Sequence, residues 1–102
     1  MIKSKLKLTG GQAAVKSLKK EKVKHVFGLI GSATMEMFDA LYHEKSMKFI
    51  GVRDERTGTH MADGYARASN KPGVIIAGQN GPGATNLVTG VAQAKAVFSP
   101  VV

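Results

Sequence analysis

Three short β-prone runs, Lys24 to Leu29, Lys48 to Val52 and Val74 to Ala77, are separated by stretches of helical periodicity, and this alternation restricts the fold more than any other feature of the chain. Parallel neighbours need a crossover of a dozen or more residues, which a helix provides, so the order strand, helix, strand predicts a parallel sheet. Right-handed crossovers then put helices on both of its faces. The expected class is α/β, a three-layer parallel sheet with helices on both faces.

The helices have local signatures. Thr9 and Gln12 have capping-box spacing, and Ala14, Val15 and Leu18 fall at helical intervals opposite Lys16, Lys19 and Lys20, which predicts a helix from Thr9 to Glu21. Ser32 or Thr34 can start a second, with Met35, Phe38, Leu41 and Tyr42 on one stripe and an end near Glu44 to Ser46. A third is expected from Arg56 to Ser69, where Gly58, Ala62 and Ala66 form a small-residue stripe that admits another backbone. Asn70 to Gly73 reads as a turn, Gly78 to Gly83 as a glycine-rich bend, and Ala84 to Ala96 as a fourth helix. Ser99-Pro100-Val101-Val102 reads as the start of another strand. Three strands and a stub leave a sheet edge and a helix face uncovered, so residues 1–102 are expected to be the front part of a longer domain, cut short at the C-terminus.

A chain of 102 residues, 43% apolar and 22% charged, can build one core and no more. Without cysteine it forms no disulfide or thiolate metal site, and a reducing cytoplasm is the simplest compartment. No apolar run approaches the roughly 18 residues of a membrane span, and the lysine-rich start lacks the apolar region of a signal peptide. The first 24 residues carry +7 of the net charge of +8, through eight lysines against Glu21. Nucleic-acid binders usually add Arg and exposed aromatics, so this reads as a solvated face rather than a nucleic-acid site.

Chemistry gathers beyond the carboxyl ends of strands in an open α/β sheet, and Glu55 is predicted to lie there, between the second strand and the third helix. Asp54 and Glu55 could also serve only as caps, since acids suit the positive end of a helix. The stretch Gly78-Gln79-Asn80-Gly81-Pro82-Gly83 has neither dinucleotide-binding nor P-loop spacing, and it reads equally as an anion cradle or as a tight turn. His25, His43 and His60 lack partners at metal-ligand spacing, Ser32 lacks a nucleophile elbow, and Asp63 and Arg67 have the spacing of an ion pair.

Together the segments His25-Val26-Phe27-Gly28, the Glu55 strand end, Met61 to Arg67, Lys71 to Val74, Gly81 to Gly90 and Pro100 to Val102 resemble the N-terminal, pyrimidine-binding domain of thiamine-diphosphate-dependent enzymes of the acetolactate synthase superfamily. Within it, Ile30 and the pair Gln79-Asn80 look more like sulfoacetaldehyde acetyltransferase, which transfers acetyl to phosphate and releases sulfite. An acetolactate synthase condensing 2-oxo acids is the alternative, and a non-catalytic dimerisation module using the Gly58/Ala62/Ala66 face is the alternative of another class.

The resemblance implies that Glu55 hydrogen-bonds a ring nitrogen of the cofactor's aminopyrimidine and favours the imino tautomer, whose nitrogen takes the thiazolium C2 proton. It further implies that Gly31 lines the site near the thiazolium. Gly81, Pro82, Gly83 and Asn86 would pack beside the pyrimidine against a partner subunit of a homodimer or tetramer. Mg²⁺ and the diphosphate would be held by a Gly-Asp-Gly motif in a domain absent from this sequence, so the 102 residues alone are expected to be inactive and to hold the cofactor weakly. Asp54, Arg56 and Lys95 to Phe98 depart from the family pattern. Arg56 is expected to hold the neighbouring carboxylate ionised and oppose proton sharing.

Overall fold

The computed structural model describes residues 7–102, so Lys3 and Lys5 of the lysine-rich start lie outside the described residues. Helix α1, Gly10–Lys20, begins at the expected capping box: the Gln12 N–H donates to Thr9 Oγ1 at 3.1 Å and the Thr9 N–H to Gln12 Oε1 at 3.0 Å. Strand β1, His25–Gly28, is followed by a single 3₁₀ turn at Ser32–Thr34 and by α2, Met35–His43. Strand β2, Lys48–Gly51, leads into α3, Glu55–Ser69, which ends where Asn70 turns left-handed at φ 59°. Strand β3, Val74–Ile76, precedes two helices, α4 at Pro82–Thr85 and α5 at Val88–Ala96.

The sheet is parallel, in the order β2-β1-β3, with Val26 facing Phe49 on one side and Val74 on the other. The final segment extends it as expected. Val101 bridges Gly73 in parallel, the Gly73 N–H donates to Pro100 O, and the Val102 N–H donates to Gly73 O at 2.8 Å. Alternate residues point to opposite faces of a strand, and this builds three layers. Val26, Val74, Ile76 and Phe49 meet Val15, Leu18, Phe38 and Leu41 of α1 and α2, while Phe27, Ile75 and His25 face α3.

Two expectations and one alternative are corrected by packing. The stripe of α2 is turned: Phe38 and Leu41 are buried with Met37 and Ala40 beside them, whereas Met35 and Tyr42 are 53% and 73% exposed. The cause is the crossing of α1 over α2 at Gly11, where a Cβ would lie 2.5 Å from the Glu36 carbonyl oxygen, so the backbone at Glu36 and Met37 sets which line of side chains turns inward. The small-residue stripe of α3 faces the sheet rather than a second subunit. A Cβ on Gly58 would lie 2.6 Å from Ile75 Cδ1, and Ala62 and Ala66 are fully buried, so this face offers nothing to a dimerisation module. The helix expected from Ala84 to Ala96 is broken at Asn86 and Leu87, because the Leu87 N–H reaches back three residues to Ala84 O instead of continuing the α pitch.

Candidate functional site

Each of the three loops beyond the carboxyl ends of the strands contributes to one region. After β2, Asp54 takes an extended conformation and accepts the Arg56 N–H at 2.8 Å, which caps α3 and makes Glu55 its first residue. The two acids therefore divide the roles that the sequence left open. Asp54 is the cap, and Glu55, 5% exposed, turns inward.

One oxygen of Glu55 is held. Asn86 Nδ2, from the break between α4 and α5, donates to Oε2 at 3.2 Å. The other oxygen, Oε1, forms no hydrogen bond with the described residues, yet no fully buried side-chain polar atom among them lacks a partner, so Oε1 keeps some exposure. Beside it lies Gly83, where a Cβ would sit 3.0 Å from Oε1 and 3.2 Å from Gln79 Cβ. A larger residue there would fill the space next to the carboxylate.

The glycine bend and the loop after β1 close the region from the other side. Gly31 fits against Gly78 so tightly that a Cβ would run into the Gly78 carbonyl, and Gly78 in turn lies beside Gly83. Gln79 Nε2 donates to Ser32 Oγ at 2.9 Å, and Thr34 Oγ1 to Ala77 O at 3.0 Å. Of the residues singled out by resemblance, the structure brings Glu55, Gly83 and Asn86 into contact, seats Gly31 one neighbour away, and leaves Gly81 and Pro82 exposed at the start of α4. Gln79 was not singled out by the sequence reading as a contact of this region. Its place next to the bend glycines was the available signal, but only the fold pairs it with Ser32.

Arg56 does not behave as expected from its neighbour. Its guanidinium clamps Asp54, with Nε to Oδ1 at 2.9 Å and Nη2 to Oδ2 at 2.6 Å. These bonds raise the Arg56 pKa, with Asp54 as the leading cause and Glu55 the least of those acting on it. The cation is thus spent on the cap rather than on the buried carboxylate. The same clamp pulls the Asp54 pKa down to about 2, through the Arg56 side-chain bonds first and its backbone N–H second. A depressed carboxyl pKa gives stability that is present above the ordinary Asp value and lost as pH falls through the folded one. Asp54→Asn keeps a capping oxygen but loses the ion pair, so its denaturation midpoint should lie below that of the parent at pH 6, and the gap should close between pH about 4 and about 2. A gap that stays constant down to pH 2 would refute the assignment.

On α3, Asp63 and Arg67 form the expected pair at 2.8 Å, with Asp63 buried and its pKa lowered chiefly by the Arg67 hydrogen bonds. His25 Nδ1 lies 3.4 Å from the Tyr65 hydroxyl, and among the described residues no cluster of His, Asp and Glu could hold a metal. No described helix is long and apolar enough to cross a membrane. A cleft of about 450 Å³ between α1 and α2 is lined by Leu8, Val15, Asp39 and His43 rather than by the carboxylate.

Residues 8–102 match the thiamine pyrophosphate enzyme family, N-terminal TPP binding domain. The chain belongs to this family. Among curated relatives of this TPP-binding domain, the chain is 50% identical over 95 residues to the "Probable acetolactate synthase large subunit" of Methanococcus aeolicus, covering 93% of this chain and 16% of that protein. It is 46% identical to the acetolactate synthase large subunit of Cyanidium caldarium, covering 98% and 17%. It is 45% identical to the mitochondrial acetolactate synthase catalytic subunit of Aspergillus candidus, covering 92% and 13%. The chain therefore spans about a sixth of the length of the first two. Thiamine diphosphate is the cofactor of the family, and the chemistry around Glu55 suits a nitrogen heterocycle: a buried carboxylate with one oxygen tied and the other without a partner among the described residues, beside a glycine whose Cβ would close the space.

Proposed function

We propose that this chain supplies the pyrimidine end of the cofactor site in an enzyme of the acetolactate synthase large-subunit type, which condenses two 2-oxo acids. The observation that carries the reading is the open Oε1 of a buried Glu55 at the carboxyl end of the sheet. Bound thiamine diphosphate supplies a carbon acid at C2 and an aminopyrimidine that can act on it as a base once a carboxyl group exchanges a proton with the ring. Glu55 is the residue that holds or gives up that proton, through Oε1. Asn86 and the α3 backbone fix where the carboxylate stands, and Gly83 leaves room for a flat ring against it.

Mg²⁺ and the diphosphate are assigned to residues outside this chain, and a second copy of the subunit is assigned the remaining wall of the site. The exposed Gly81 and Pro82 at the start of α4 support that placement. The lack of cysteine supports a reducing compartment such as the cytoplasm.

The acetolactate synthase names of the relatives favour this chemistry over acetyl transfer from sulfoacetaldehyde to phosphate. Ile30 and Gln79-Asn80 remain the residues in favour of the second reaction. The two separate in one assay: the full-length protein given pyruvate should form acetolactate, and given sulfoacetaldehyde with phosphate should form no acetyl phosphate. Acetyl phosphate without acetolactate would reverse the choice.

A further inference from the structure

We infer that Asn86 is a positioning residue for Glu55, which ties down Oε2 so that Oε1 is the oxygen presented to a ring nitrogen; this rests on the reading of Glu55 given above. The resemblance alone places Asn86 against the pyrimidine and a partner subunit. Its geometry points elsewhere, because its amide is used within the chain. The donor reaches Glu55 from 31 residues away at 3.2 Å, and an ionised carboxylate only accepts, so the amide nitrogen is the atom that faces it.

The backbone that presents Asn86 is itself held. Its N–H donates to Pro82 O at 2.9 Å, Thr85 Oγ1 lies 3.2 Å from the same carbonyl oxygen, and the Leu87 N–H closes the turn on Ala84 O. Beyond the break, α5 is seated on α3 at Gly90, where a Cβ would run into the Thr59 side chain. Thr59, fully buried, donates through Oγ1 to the Glu55 carbonyl at 2.6 Å. The helix that follows Asn86 thus packs on α3 one turn beyond Glu55, at a residue bonded to the Glu55 carbonyl. The interruption of α4 and α5 has a purpose in this arrangement, since it frees one side chain to point at the carboxylate from a fixed place.

A Glu side chain has three rotatable bonds, and without a tether the plane of its carboxylate turns at little cost. Asn86 removes that freedom. The consequence is a carboxylate whose plane is set before any ligand arrives, with one oxygen on Asn86 and the other turned away from it.

The test begins with the cofactor-free, full-length protein labelled with [¹³C]carboxyl glutamate, the Glu55 resonance being assigned by its loss in Glu55→Gln. Asn86→Ala should move that resonance, and Asn86→Gln, which keeps the amide but displaces it by one methylene, should move it as well. In the loaded protein Asn86→Ala should slow C2 proton exchange by about tenfold while thiamine diphosphate affinity changes less than about twofold. An unmoved Glu55 resonance in both variants overturns the proposal. So does a fall in affinity that matches the fall in exchange, which makes Asn86 a direct ligand. Failure of Glu55 as proton partner reads out separately, as unaltered exchange in Glu55→Gln whatever Asn86 does to the resonance.

Discussion

Glu55→Gln in the full-length protein is expected to slow C2 proton exchange of bound thiamine diphosphate by about a hundred- to ten-thousand-fold, the range that a positioned acid or base typically contributes. The substitution preserves shape and keeps an oxygen that can accept from Asn86 Nδ2, so α3 and its neighbours should be undisturbed. What disappears, on the proposed reading, is a group that can give up a proton and take it back. Cofactor affinity should change far less than exchange, because the diphosphate end is assigned elsewhere. Exchange measured by quench and proton NMR is the deciding quantity, since it reports the step before any 2-oxo acid is used. A variant that exchanges as fast as its parent would leave the buried carboxylate without a chemical role.

A large structural effect is expected at Gly73. A Cβ there would collide with the Ala62 carbonyl of α3, and the same residue pairs through its N–H and carbonyl with the last segment of the sheet. Helix and strand backbones are in direct contact, so no side chain can yield. Gly73→Ala should cost about 3 kcal/mol and lower the melting temperature by about 10 °C or more. Gly64 makes the matched control. It lies exposed inside α3, nothing lies within 4 Å of where its Cβ would be, and Gly64→Ala should stabilise by about 0.5–1 kcal/mol through helix propensity. Equal and small effects at both positions, in paired thermal melts, would show that the contact between α3 and β3 is looser than described. Because α3 carries Glu55, Gly73→Ala should also disturb the site.

Local signals were readable where the cause is local. The Thr9 and Gln12 cap, the three strands and the turn at Asn70 all depend on residues within a few positions of one another, and each forms where the sequence predicts it. The small-residue stripe of α3 does admit another backbone, that of Gly73, but the stripe of α2 was misread and the dimerisation use of the α3 face falls, because both rotations are set by contacts between segments far apart in the chain: the Gly11 crossing, and Ile75 beneath Gly58. The break at Asn86 was missed for a related reason. Residues from Ala84 to Ala96 carry no interior proline, and two adjacent glycine-free residues give no warning of a change in pitch.

For the site, the sequence determined that an acid stands between the second strand and the third helix and that a glycine-rich bend follows the third strand, since both depend on strand and helix periodicity alone. It could not say whether Glu55 was a cap or a buried group, nor which way Arg56 would turn. Tertiary structure decided these. Asp54 takes the cap and the guanidinium, Glu55 goes inward, and Asn86 and Gly83 arrive beside it from a different loop. The physical reason is that a carboxylate's role depends on what surrounds its two oxygens, and in a parallel sheet those surroundings come from loops that are distant in sequence and adjacent only at the carboxyl edge.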